Sequence, residues 1–284
     1  NEDAQGGGVA SKRVEYSHDL FASEALQFIE GNWIHPFFLY LAFTAPHANN
    51  EAGKKGMEVP NHGDYAVTGW PEAQKGHAAM ITRMDQDIGR LFAKLKHLKI
   101  DTDTIVFFSS DNGPHREGGN DPDYNDSNGP LRGIKRDLYE GGIRVPAIVR
   151  WPGHVAAGQV SEQVWSFADF LPTAAELAGA KPPHGIDGIS LAPTLLGKPE
   201  KQKQPEYLYW ECYERGSSQA VRLGDWKGVA QPFGGPIELY DLKSDVGETN
   251  NVAAQHPVVV QKIRKVMDKA HVSSPLWILP KAAQ

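Results

Sequence analysis

Cysteine occurs once in these 284 residues, at position 212. No intrachain disulfide can form, and no zinc site built on several thiolates is available. Long apolar runs are also missing: the best candidates, residues 37–43 and 104–108, fall well short of the roughly 20 residues a membrane-spanning helix needs. A membrane partner is therefore not expected. Nor is there a basic excess. Asp and Glu outnumber Lys and Arg by 35 to 29, the two signs are interspersed, and a net charge of −6 leaves no basic stripe for a nucleic acid. An anionic ester would have to be held by local cations or a metal. The chain opens on Asn1-Glu2-Asp3 without a methionine or an apolar leader, which reads as a processed chain or a fragment.

What is present is a globular composition, 40% hydrophobic and 23% charged, enough for one large domain or two unequal ones. Helical and strand patterns alternate through the first two-thirds, the pattern of an α/β chain that builds a sheet flanked by helices. Asp19 is placed to cap a helix carrying Leu20, Phe21, Leu26 and Ile29, with Gly31-Asn32 as its end. Residues 37–41 read as a buried strand. Met80, Met84, Ile88, Leu91, Leu95 and Leu98 form the apolar stripe of a long helix. Residues 104–108 read as a central buried strand and 145–149 as another, with Pro146 near its start. A helix is expected from Asp169 to Leu177, ended by Gly179. The polar, proline-flanked stretch 197–205 marks a boundary, giving a first domain over 1–204 and a smaller one over 205–284. The second should hold short strands at 207–210, 219–223, 226–229 and 238–242 as an antiparallel sheet, covered by a helix bearing Val259, Ile263, Val266 and Met267.

Three places carry chemistry. Asp111-Asn112 follows the 104–108 strand, and open α/β sheets bind ligands at the carboxyl ends of their strands. A carboxylate and an amide carbonyl suit Ca²⁺ or Mg²⁺ better than zinc or copper; Asp-Asn-Gly-Pro is equally good turn chemistry. Lys135, in Gly129-Pro130-Leu131-Arg132-Gly133-Ile134-Lys135-Arg136, offers a cation among glycines that let backbone approach an ester oxygen, though most such lysines are simply solvated. His47, in Phe43-Thr44-Ala45-Pro46-His47, is a candidate proton donor to a leaving oxygen at neutral pH.

Residues 107–119 (FFSSDNGPHREGG), 128–135 (NGPLRGIK) and 139–146 (YEGGIRVP) together resemble the central motifs of the arylsulfatase-type sulfatases of the alkaline phosphatase superfamily. The resemblance extends upstream to 37–47 and downstream through Trp151-Pro152-Gly153, Asp169 to Thr173, Asp187-Gly188, Asp225-Trp226-Lys227 and 238–242. It implies an alkaline-phosphatase-like mixed sheet with a smaller C-terminal antiparallel sheet and helix. It also implies Asp111 and Asn112 as two calcium ligands, Lys135 on the sulfate and bridging oxygen, and His47 beside the leaving group as general acid. The implied reaction is S–O hydrolysis of a sulfate ester by a formylglycine hydrate. His115, Glu117, Arg132 and Arg215 are candidates for contacts to the rest of the substrate. Likeness to bacterial carbohydrate sulfatases points to a sulfated sugar, or an aryl sulfate, and to a periplasmic or secreted setting.

The chain departs from the family in three respects. Formylglycine arises from Cys or Ser in a Cys-x-Pro-Ser-Arg type motif, which this sequence lacks, and Cys212 in Trp210-Glu211-Cys212-Tyr213 reads as a structural thiol on a strand. The family's acidic N-terminal calcium ligands and its Gly-Lys-x-x-His segment are absent too. The expectation is a fragment lacking the nucleophile segment and inactive by itself, with that segment or a second copy as partner. Two readings compete: a related metal-dependent phosphatase or phosphodiesterase, and a non-catalytic binding or structural protein derived from a sulfatase.

Overall fold

The computed structural model describes residues 12, 14–214 and 216–276. The chain divides into two compact units, Asn1–Thr104 with His115–Asp126, and Ile105–Pro114 with Ser127–Gln284. No helix among the described residues is long and apolar enough to cross a membrane.

The first unit is built on two helices, α1 (Ser17–Asn32) and α2 (Glu72–His97). The stripe read from the sequence lies inward on α2: Met80 and Leu95 are buried, and Met84, Ile88, Leu91 and Leu98 are half-buried. Met80 packs on Ala45, Ala48 and Met57. Asp19 does not cap α1. Tyr16 occupies the cap position without a side-chain bond, and Asp19 lies in the first turn, where its carboxylate takes Arg83 of α2 through two bonds of 2.5 Å. The ion pair with Arg83 holds the Asp19 carboxyl below its usual range despite partial burial. A second pair, Lys94 Nζ to Glu30 Oε2 at 2.9 Å, ties the same helices near their other ends.

The strand expected over 37–41 is not formed. That segment has no ladder partner among the described residues, and Phe38 and Tyr40 are 68% and 81% exposed. Apolar alternation suits a strand, but only a neighbour's N–H and C=O groups make one.

In the second unit β1 (Val106–Ser109) precedes α3 (Glu140–Ile143) and β2 (Ala147–Arg150). β1 and β2 pair antiparallel, Val106 opposite Arg150 and Ser109 opposite Ala147. β1 is half-buried rather than fully enclosed. Phe107 meets Phe170 edge-on at 5.2 Å, seating α4 (Phe170–Leu177), and α5 (Ala192–Leu195) follows. α4 ends as expected, with Gly179 at φ +72°.

A four-stranded antiparallel meander then forms from β3 (Leu208–Cys212), β4 (Ser218–Leu223), β5 (Trp226–Ala230) and β6 (Ile237–Asp241) in that order. Strand alternation gives it two apolar faces. One carries Val221, Ala230, Ile237 and Leu239, onto which α6 (Pro257–Ala270) lays Ile263 and Met267, both fully buried. The other carries Ala220 and Val229 against Leu138, with Tyr139, Ile143, Trp210 and the half-buried Cys212 around them. Each buried aliphatic side chain here contributes about 1.5–3 kcal/mol. The second face matters for function, because Leu138 and Tyr139 lead into α3 and Ile143 is its last residue.

Candidate active site

Each unit carries part of the candidate chemistry. In the second unit, Asp111 and Asn112 leave the end of β1, Asp111 exposed and Asn112 half-buried. Asn112 donates its side-chain N–H to the Gly113 carbonyl at 2.8 Å. A carboxylate and an amide oxygen on adjacent residues are the kind of donors a hard cation takes. These two residues fit calcium, although six to eight oxygens are its normal complement, so they are part of a shell. Among the described residues no three His, Cys, Asp or Glu side chains gather as a metal cluster.

The loop is held by backbone contact. Gly113 N–H donates to the Gly142 carbonyl at 3.0 Å, and a Cβ at 113 would stand 1.8 Å from the Gly141 carbonyl oxygen. Only glycine fits there. The Lys135 N–H donates to the Pro114 carbonyl at 2.8 Å, so the lysine loop is bonded directly to the Asp-Asn loop. Asp137 shapes that turn by accepting the Ile134 N–H at 2.8 Å, and Lys135 itself is half-buried.

Arg132 is engaged with the protein. Its guanidinium lies 3.8 Å from the Tyr139 ring and donates to the Tyr240 hydroxyl at 2.8 Å and to the Glu248 carbonyl at 3.1 Å. Both tyrosine hydroxyls donate to Glu238 Oε2, at 2.6 and 2.7 Å. Burial and that carboxylate push the Tyr240 hydroxyl up to about 12. Burial alone would raise Glu238, but the two hydroxyls and Arg132 outweigh it and hold the carboxyl below its ordinary value. Arg215 lies outside the described residues.

The first unit holds His47, His115 and Glu117 together. His115 is buried and uses both ring nitrogens: Nδ1 accepts the Glu117 N–H at 3.0 Å, and Nε2 donates to the Pro46 carbonyl at 3.3 Å. That pattern is the neutral Nε2–H tautomer. Its ring stacks on His47 at 5.6 Å. His47 donates Nδ1–H to the Ala48 carbonyl at 2.8 Å, and its Nε2 lies 3.5 Å from Glu117 Oε2. Gly118 lets this happen, since at φ +64° it passes so close to Ala48 that an added Cβ would stand 2.5 Å from the alanine's methyl. The sequence pointed to His115 and Glu117 as substrate contacts; in the structure one braces the loop and the other faces His47.

Several neighbours were not singled out by sequence. His77, on α2, meets the His115 ring edge-on at 6.4 Å, and burial, with His115 adding to it, pushes its pKa down to about 4. Glu140, Lys227 and Glu248 form a buried charged group in the second unit, with Lys227 Nζ 2.9 Å from Glu140 Oε1 and 3.5 Å from Glu248 Oε1. The only sequence signal for them was that Glu140 and Lys227 fall inside motifs of the resemblance.

An oxygen-donor loop thus follows a sheet strand, with a lysine loop bonded to it, and the relatives of the chain define its class. A sulfatase family model matches residues 3–180, and a model described as N-sulphoglucosamine sulphohydrolase, C-terminal, matches residues 134–273. The chain belongs to the sulfatase family, with its alkaline-phosphatase-like fold. It is 39% identical over 239 residues to N-acetylgalactosamine-6-sulfatase of Mus musculus, covering 82% of this chain and 42% of that protein. It is 31% identical over 291 residues to arylsulfatase A of Homo sapiens, covering 91% and 52%. Among solved structures, Ps i-CgsB in complex with k-i-k-neocarrahexaose superposes with a TM-score of 0.78 at 29% identity, covering 96% of this chain and 59% of that one. The chain thus spans about half the length of the relatives it matches.

Proposed function

We propose that the full-length protein is a calcium-dependent sulfatase that removes sulfate from a sulfated carbohydrate. The observation that carries this is the coupling of the Asp111-Asn112 loop to the Lys135 loop through the Lys135 N–H to Pro114 bond, in a chain of the sulfatase family. Bound at Asp111 and Asn112, calcium would withdraw charge from the sulfate oxygens as a Lewis acid. Lys135 supplies a positive charge to the same anion and to the negative charge that grows on the bridging oxygen. His47, which the family resemblance sets beside the leaving group, acts as proton donor to the departing hydroxyl, with Glu117 Oε2 3.5 Å from its Nε2. His115 stacks on the His47 ring and accepts the Glu117 N–H, bracing both.

The nucleophile in this reading is a formylglycine in a part of the protein outside these 284 residues. A sulfated sugar is favoured because the relatives reported above include an N-acetylgalactosamine-6-sulfatase and a structure solved in complex with k-i-k-neocarrahexaose. A periplasmic or secreted setting is part of the same proposal.

The test is sulfate release by the full-length protein from a chromogenic aryl sulfate and from sulfated galactose and galactosamine oligosaccharides, beside the matching phosphate esters. Sulfate release that drops at least 100-fold in Lys135→Ala supports the reading. Preference for the phosphate ester, or full activity in that variant, overturns it.

A further inference from the structure

The buried charged group around Lys227 lies on the C-terminal sheet, and nothing in the proposed reaction uses it. Lys227 of β5 is fully buried, as is Glu248, and Glu140 is 3% exposed. Glu140 is held from four directions. Lys227 Nζ sits 2.9 Å from Oε1, Arg144 and Arg222 each lie 3.7 Å from Oε2, and the Glu140 backbone N–H donates to Glu248 Oε2 at 2.6 Å. The Lys227 ammonium also faces the Trp210 ring at 5.6 Å.

Glu140 opens α3, and the two residues after it are bare backbone. A Cβ on Gly141 would stand 2.3 Å from the Gly133 carbonyl oxygen and 2.5 Å from that of Arg132; one on Gly142 would stand 2.1 Å from that of Asp137. Gly141 N–H donates to the Arg132 carbonyl at 2.7 Å, and Gly142 C=O accepts from Gly113 at 3.0 Å. α3 is therefore clamped between the lysine loop and the Asp111-Asn112 loop. A single helical turn has little stability of its own, because too few hydrogen bonds repay its nucleation. Its position must come from anchors, and Glu140 is its charged one.

We propose that Lys227, acting through Glu140, is a positioning residue that fixes the register of the Asp111–Pro114 loop against the Lys135 loop. An apolar contact would hold α3 in place without direction, whereas a carboxylate met by an ammonium and two guanidiniums, with its own backbone N–H given to Glu248, has one orientation that satisfies all of them. The C-terminal sheet thereby sets the geometry of a site it does not touch. This rests on the proposed role of Asp111, Asn112 and Lys135, but its structural half can be tested without that role.

The experiment is hydrogen exchange on the full-length protein, reading the segments 105–114 and 127–136 against β6 as an internal reference, in wild type, Lys227→Met and Lys227→Arg. Calcium binding is followed by titration calorimetry on the same samples. We expect exchange at Gly113 and Lys135 to quicken at least tenfold in Lys227→Met while β6 stays protected, calcium to bind at least tenfold more weakly, and Lys227→Arg to recover part of both. If Lys227→Met does not fold, Lys227→Met combined with Glu140→Gln and Glu248→Gln removes both unpaired carboxylates and is expected to show the same loop-specific loss. Unchanged loop exchange in a folded variant, or an equal rise in β6, would overturn the proposal. Sulfate release in wild type is measured alongside, so that failure of the sulfatase reading registers separately from failure of the positioning role.

Discussion

Lys227 Nζ and Glu140 Oε1 lie 2.9 Å apart with both side chains essentially removed from water, and they join the third residue position of the Asp225-Trp226-Lys227 motif to the Tyr139-Glu140-Gly141-Gly142 motif, 87 residues away. Two segments that look independent in the sequence are one structural unit. Burial raises the Glu248 carboxyl above its usual value, with Lys227 pulling the other way, so the ammonium is what keeps two buried carboxylates in one group tolerable.

Removing that ammonium should therefore cost more than removing the whole group. Lys227→Met is expected to destabilise the protein by about 3–5 kcal/mol at neutral pH, because it strands buried charge. The combination Lys227→Met, Glu140→Gln, Glu248→Gln should be the less damaging change. Urea unfolding of the two variants and wild type checks this; equal losses would mean that the charges are not coupled.

His77 gives an acid sensitivity with a defined sign. Its pKa falls from 6.5 to about 4 on folding, so between those values the unfolded chain binds the extra proton. Its contribution to stability is full above 6.5, declines as pH falls, and is lost below about 4, a change of roughly 3 kcal/mol. His77→Gln should flatten that slope in urea titrations at pH 7 and pH 4.5. An unaltered slope would place the acid sensitivity on other groups.

Gly113→Ala should damage the Asp-Asn loop while leaving the C-terminal sheet intact. Its methyl would meet the Gly141 carbonyl oxygen at 1.8 Å, a backbone atom that cannot rotate away. We expect sulfate release to fall at least tenfold in the full-length protein, with near-wild-type circular dichroism. Activity within twofold of wild type would show that the loop tolerates displacement.

The sequence reading succeeds where local pattern decides. The α2 stripe from Met80 to Leu98, the turn chemistry ending β1 and the four strands of the C-terminal meander all follow from periodicity and turn residues, and each forms. It fails where a distant partner decides. Residues 37–41 have strand-like alternation and no ladder; Asp19 has a capping residue's chemistry but binds Arg83, 64 positions on. Lys227 alternates along its strand like any other residue, and only the fold brings Glu140 and Glu248 to it. His115 was legible as a residue near the chemistry, but not as one whose two nitrogens are both spent on Glu117 and Pro46.

The measurement that tests the account most directly is sulfate release by full-length protein stripped with a chelator and then titrated with calcium, wild type beside Asp111→Asn. The account predicts that stripping abolishes release, that calcium restores it, and that Asp111→Asn needs at least tenfold more calcium. Undiminished release from stripped wild type, or the same calcium dependence in the variant, would contradict it.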